Sequence, residues 1–298
     1  MQDAKMMAQM LGGAGFIAAL DQSGGSTPKA LKGYGLDESA WSSEEEMFAL
    51  IHDMRVRIVT ARSFTGQKII GAILFEKTMD GEADGKPVPQ LLWERGVVPF
   101  VKVDKGLDDE ADGVQLMKPM TGLDELLERA RDLGVFGTKM RSVINLADQG
   151  GIARIVDQQF EAANRIAVAG LMPIVEPEVS IKSPERGEAD RLLRDALIRA
   201  LDALPPRRRV MLKLSIPEEP DLFAPVIAHP AVARVVALSG GFSREEACRE
   251  LAKNRAMIAS FSRALLEDLR HDMSDEEFDR ALGTAIDEIY RASTLKSL

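Results

Sequence analysis

Residues 171–179 read LMPIVEPEV and residues 209–216 read RVMLKLSI. Both runs are short and rich in aliphatic and β-branched residues, the pattern of strands buried on both faces. Both also carry charge where such a strand should be apolar: Glu176 and Glu178 in the first, Lys213 in the second. Six further runs of this kind lie at 15–21 (GFIAALD), 71–79 (GAILFEKTM), 97–104 (VVPFVKVD), 136–144 (FGTKMRSVI), 235–241 (VVALSGG) and 258–264 (IASFSRA).

Longer polar stretches with helical spacing separate them. Residues 121–133 carry leucines at such spacing, and residues 151–170 are apolar on one face and end at Gly170, a fitting C-cap. Residues 188–204 and 244–255 are similar, and Ser243 with Glu246 forms a capping-box pair before the latter. The stretches 80–90 and 108–121, rich in Gly, Pro and acidic residues, read as loops. Strands alternating with helices predict a parallel sheet with right-handed crossovers. Eight such units predict a (β/α)8 TIM barrel with its active site at the C-terminal strand ends; an open doubly wound sheet is the alternative. The expected organisation is a single domain over 1–298, with a short N-terminal helix and a C-terminal helix and tail from 274 onward.

Composition narrows the function classes. The net charge of −9 argues against a general nucleic-acid binder, which needs a basic face, but leaves room for a small phosphorylated ligand. The single cysteine, Cys248, allows no intrachain disulfide. No leader-like segment or membrane-length apolar run is read, so a cytoplasmic protein is expected. Three scattered histidines, His52, His229 and His271, make a zinc site an unpromising reading.

The polar residues at the strand ends carry the functional signal: Asp21, Glu76, Lys102, Asp104, Lys139, Arg141, Glu176, Glu178, Lys213, Ser239 and Arg263. In a barrel these ends converge, and a buried ionised group is costly unless paired. Alternation puts Met211, Lys213 and Ser215 on one face and Leu212, Leu214 and Ile216 on the other. A desolvated lysine near other cations frees its lone pair to attack a carbonyl; a structural ion pair would place a lysine there equally well. Glu176 and Glu178, two apart, share a face and can divide acid and base roles, or form salt bridges. Lys139 and Arg141, with the same spacing, could steady Lys213's surroundings or hold an anion. Asp104, beside Lys102, reads as structural. Two small-residue loops suit phosphate: Ser239-Gly240-Gly241, and residues 21–26 (DQSGGS) leading to Lys29. Neither fits a P-loop.

The strings ALDQSGGS, ILFEKTM, VVPFVKVDKG, GTKMR, PIVEPE, MLKLSIP, LSGGFSREEA and SFSRAL, spread from about residue 15 to 264, resemble class I fructose-bisphosphate aldolases. The resemblance implies that Lys213 is a Schiff-base lysine and that Glu176 is the acid–base residue of carbinolamine formation and dehydration. It implies that Glu178 and Lys139 are charged neighbours tuning protonation, and that Asp21 takes the C4 hydroxyl proton. Ser239, Gly240 and Arg263 are implied as one phosphate site; Ser23, Ser26, Lys102 and Arg141 as the region of the other, with Lys29 a weaker match. The implied reaction is metal-independent and cofactor-free cleavage of fructose 1,6-bisphosphate to dihydroxyacetone phosphate and glyceraldehyde 3-phosphate, in glycolysis or gluconeogenesis. MLKLSIP and the ending Lys296-Ser297-Leu298, without the terminal tyrosine of animal relatives, look more like the bacterial branch. Relatives also imply a homo-oligomer. Three other readings remain: a Schiff-base aldolase acting on a different ketose phosphate, a metal-dependent aldolase, and a non-catalytic scaffold on the same barrel.

Overall fold

A computed structural model describes residues 3–297; Met1, Gln2 and Leu298, at the two ends of the expected domain, lie outside the described residues. The eight expected runs supply the strands of one sheet: β1 Phe16–Leu20, β2 Ile69–Leu74, β3 Val98–Lys102, β4 Gly137–Ile144, β5 Met172–Val179, β6 Val210–Ser215, β7 Val232–Leu238 and β8 Ile258–Ala259. Each pairs in parallel with the next in chain order. The circle is closed by the Ala19 N–H, which donates to Phe261 O at 3.1 Å just past β8. The result is a nearly closed (β/α)8 barrel, the TIM-barrel architecture, and the open sheet is set aside.

Strand alternation sorts the core into two compartments. Ile17 and Ala19, Val98 and Phe100, Met172 and Ile174, and Met211 pack with one another inside the barrel. Leu212, Leu214 and Ile216 join the larger cluster between sheet and helices. Each such fully buried aliphatic side chain contributes about 1.5–3 kcal/mol relative to exposure. Gly137 is required by this interior: a Cβ there would sit 2.2 Å from Met172 O and 2.7 Å from the Phe100 ring. That space lets Phe100 meet Phe136 edge-on, with centroids 5.5 Å apart.

Helix Ala4–Gly12, capped by Asp3, closes the end where the strands begin. Its Met6 and Met10 enter the interior cluster, and Gln9 Nε2 donates to Ile70 O at 2.8 Å and to Gly96 O at 2.7 Å. The interior is therefore apolar at its base, and the same inward register delivers polar side chains at the top. Along β1 the series is Ile17, Ala19, Asp21; along β3 it is Val98, Phe100, Lys102; along β5 it is Met172, Ile174, Glu176.

Several boundaries differ from expectation. The stretch 80–90 is an antiparallel hairpin, Glu82–Ala83 with Lys86–Pro87, running straight into helix Val88–Glu94. Asp84 and Gly85 both have positive φ (51° and 71°), the requirement of a two-residue type I′ turn, so the Asp-Gly pair decided the geometry. In the stretch 108–121, Val114–Gln115 pairs antiparallel with the end of β4. The 121–133 helix runs Leu123–Asp132 and is entered through Gly122. The β2 run ends at Leu74, and Glu76–Met79 is a helical turn. The helix expected over 151–170 runs Gln149–Val168 and ends at Gly170 in a Schellman arrangement: Leu171 N–H donates to Ile166 O and Gly170 N–H to Ala167 O. The Ser243–Glu246 capping box is present, and Ser274 with Glu277 forms a second at the start of the long C-terminal helix Asp275–Thr294. No described helix is long and apolar enough to cross a membrane.

Candidate active site

Asp21, Lys139, Glu176 and Lys213 project inward from four strands at the top of the apolar interior, each at most 8% exposed. They form one chain of ion pairs. Asp21 Oδ2 stands 2.6 Å from Lys139 Nζ; Lys139 Nζ stands 2.9 Å from Glu176 Oε2; Glu176 Oε1 stands 3.1 Å from Lys213 Nζ. The Glu176 backbone is fixed as well, its N–H donating to Gln159 Oε1 at 2.8 Å.

Burial and charge oppose each other here, and charge prevails. Burial alone would raise the Asp21 carboxyl, but Lys139, Lys213 and Lys102 hold it well below the usual carboxylate range. Burial likewise works to raise Glu176, and Lys139 and Lys213 lower it despite the nearby Asp21 charge. Burial would lower Lys139, yet Asp21, Glu176 and Asp104 hold it above the usual ammonium range. At neutral pH this leaves two carboxylates as proton acceptors beside a fixed ammonium.

A cleft of about 810 Å³ opens above this network. Its lining contains Asp21, Ser23, Ser26, Lys29, Lys102, Lys139, Arg141, Glu176, Glu178, Lys213, Ser239, Gly240 and Arg263, so the chain brings all the singled-out residues to one place. They do not act as one set. Glu178 pairs with Arg141 at 2.5 Å, apart from the Glu176 network, so the two glutamates read as sharing a face have different partners. Lys139 and Arg141 divide in the same way. Asp104 serves as a brace: it pairs with Lys102 at 2.8 Å and accepts the N–H of Gly106 and of Arg141, each at 3.2 Å. Glu76 lies toward the rim, bridged to Lys105 and Arg129.

Two loops border the cleft. After β7, Gly240 and Gly241 have φ of 61° and 118°, which non-glycine residues rarely adopt. Arg263 Nη2 lies 3.5 Å from where a Gly241 side chain would begin, so this loop and the guanidinium form one wall. After β1, Ser26 Oγ donates to Ser23 O at 2.8 Å and accepts the Ser23 N–H at 2.9 Å, at the start of helix Ser26–Gly33.

Sequence reading gave no role to Gln22, Lys105, Ser260 or Ser262, all of which line the cleft. Ser260 is 1% exposed, and its hydroxyl has no partner among the described residues. Gln22 Nε2 donates to Ser262 Oγ at 2.6 Å, joining the ends of β1 and β8. Ser260 and Ser262 stand two apart just before Arg263, a spacing that was available as a signal. Among the described residues no cluster of three or more His, Cys, Asp or Glu side chains is arranged to hold a metal.

A sequence-family model for class-I fructose-bisphosphate aldolase matches residues 2–189. Among solved structures, the fold is similar to a fructose-bisphosphate aldolase from Plasmodium falciparum, crystallised with TRAP and a small-molecule inhibitor. That likeness has a TM-score of 0.78 at 24% identity, over 99% of this chain and 95% of that one. An archaeal fructose-1,6-bisphosphate aldolase, whose catalytic lysine carries the carbinolamine intermediate of its substrate, aligns with a TM-score of 0.54 at 12% identity. It covers 97% of this chain and all of the other. Cgl0159 from Corynebacterium glutamicum aligns with a TM-score of 0.55 at 14% identity, over 97% of this chain and 92% of that one.

Proposed function

Because the chain belongs to the class-I fructose-bisphosphate aldolase family, we propose that it cleaves fructose 1,6-bisphosphate reversibly through a Schiff base on Lys213. The observation that carries this reading is the buried series Asp21–Lys139–Glu176–Lys213 beneath a cleft rich in cations. A chain of net charge −9 gathers Lys29, Lys102, Lys105, Arg141 and Arg263 around one opening, the arrangement that an anionic substrate requires.

The residues divide the chemistry as follows. Glu176, ionised and 3.1 Å away, accepts a proton from Lys213, whose freed amine attacks the C2 carbonyl to give a carbinolamine. Glu176 then returns the proton to the carbinolamine hydroxyl, which leaves as water and creates the iminium. Asp21 takes the C4 hydroxyl proton as the C3–C4 bond breaks, and the electron pair passes into the iminium to form an enamine. The aldehyde fragment departs as glyceraldehyde 3-phosphate. Protonation of the enamine at C3 and hydrolysis of the imine release dihydroxyacetone phosphate. Lys139 remains charged throughout and holds both carboxylates in place.

Ser239, Gly240 and Arg263 are proposed to receive one phosphate, and Ser23, Ser26, Lys102 and Arg141 to border the other. Holding both ends fixes the open chain of the sugar over Lys213. The test is turnover of fructose 1,6-bisphosphate against fructose 1-phosphate, read by triose release in the presence of a chelator. Preference for the bisphosphate supports the reading. Turnover of a different ketose phosphate alone moves the substrate assignment, and chelator sensitivity overturns the mechanism.

A further inference from the structure

Among the described residues, the largest fully buried side chain is charged: Arg55, on helix Glu44–Thr60, is 1% exposed. It makes no ion pair with a carboxylate among the described residues. Such burial is costly unless its donors are used well. Its Nη2 donates to Gln22 O, its Nη1 donates to Thr78 Oγ1 at 2.9 Å, and its Cζ lies 5.7 Å from the centre of the Phe75 ring. Burial pushes the guanidinium down to about 10, with Asp21 opposing, so it is charged at neutral pH.

What these bonds hold is the peptide that joins Gln22 to Ser23, one residue past Asp21. The Gln22 carbonyl is taken by Arg55, and the Ser23 N–H of the same peptide donates to Ser26 Oγ at 2.9 Å. Both polar groups of that peptide are therefore fixed. Thr78 belongs to the helical turn Glu76–Met79 after β2, and the Gln22 side chain reaches Ser262 beside Arg263. One guanidinium outside the cleft thus ties the end of β1 to the end of β2, and Gln22 extends the tie to β8.

We propose that Arg55 is a positioning residue: it holds the Asp21–Ser26 loop in the shape that sets the Asp21 carboxylate against Lys139 and presents Ser23 and Ser26 to the cleft. The inference rests on the cleavage reading of the site. A packing role alone would affect stability and every activity alike. A positioning role affects the steps that use Asp21 and the Ser23–Ser26 loop, and spares imine formation at Lys213.

The experiment compares Arg55→Met, Arg55→Lys, Thr78→Val and Thr78→Ser in the full chain. Two readouts are taken: steady-state cleavage of fructose 1,6-bisphosphate, and borohydride trapping of dihydroxyacetone phosphate on Lys213. Arg55→Met is expected to raise KM and lower kcat for cleavage by roughly tenfold each while leaving trapping within about threefold of the parent. Arg55→Lys keeps the charge but lacks the planar fork that reaches both acceptors, so it stays nearer to Arg55→Met than to the parent. Thr78→Val shifts the same parameters less, and Thr78→Ser, which restores the hydroxyl, returns them to parental values. If Arg55→Met does not fold, the two Thr78 variants decide. Parental cleavage kinetics in Arg55→Met and Thr78→Val, or equal loss of cleavage and trapping, overturns the proposal. A parent protein that traps no adduct overturns the cleavage reading itself, and this inference with it.

Discussion

Glu176 and Lys213 lie on adjacent strands, with Glu176 Oε1 3.1 Å from Lys213 Nζ, and both are almost fully buried in the floor of the cleft. This is the distance over which a proton passes directly between carboxylate and amine. Replacing Glu176 by Gln keeps the shape and removes the acceptor. Cleavage in the Glu176→Gln variant is expected to slow by about 10²- to 10⁴-fold. In single-turnover experiments the slowed step should be formation of the imine rather than binding. A variant with full kcat would mean that a different group moves this proton.

Arg263 stands beside the Ser239–Gly241 loop at the cleft wall. A guanidinium bonded to phosphate is worth about 1.5–3 kcal/mol, so Arg263→Ala should raise KM for the bisphosphate by roughly 10- to 100-fold. The effect should be small for a ketose that lacks the phosphate bound there. Comparing fructose 1-phosphate and fructose 6-phosphate as substrates or inhibitors shows which phosphate Arg263 receives. An equal loss for both would contradict a site for one phosphate.

The barrel was legible because its signal was repeated. Eight apolar runs separated by helical stretches leave few topologies, and inward alternation was visible directly in Met211, Lys213 and Ser215. The members of the site were also readable, since Asp21, Lys139, Glu176 and Lys213 are charges in otherwise apolar strands. Their pairing was not readable. Glu176 and Glu178 share an i, i+2 relation, yet one faces two lysines and the other Arg141, because neighbouring strands and not local spacing choose the partner. Arg55 was invisible for a related reason. A charge on a helix ordinarily points to solvent, and only the tertiary fold shows that this one turns inward to Gln22 and Thr78. The hairpin at 82–87 was in the sequence as Asp84-Gly85, and it was masked by the composition of a loop.

Asp190 lies fully buried on helix Arg186–Asp202, outside the cleft. Burial raises its carboxyl to about 6, although the Glu218 N–H that it accepts at 3.0 Å works the other way. Between the ordinary value of 3.8 and about 6 the folded protein therefore keeps a proton that the unfolded chain has released. The contribution of this group to stability falls as pH rises through that window and stays low above it. Asp190→Asn removes the cost of ionisation and is expected to stabilise the protein at pH ~7.5 by on the order of 1–3 kcal/mol, with a smaller gain near pH ~4.5. Urea unfolding at the two pH values checks this. A loss at the higher pH would contradict it.

In the proposed reaction Lys213 forms a covalent imine with the substrate. Incubating the protein with dihydroxyacetone phosphate, reducing with borohydride and mapping the digest by mass spectrometry tests it in one step, with Lys213→Met as the control. A reduced triose-phosphate adduct is expected on the peptide containing Lys213, and none in the Lys213→Met variant. No adduct, or an adduct on Lys139 or Lys102 with Lys213 unmodified, would contradict it.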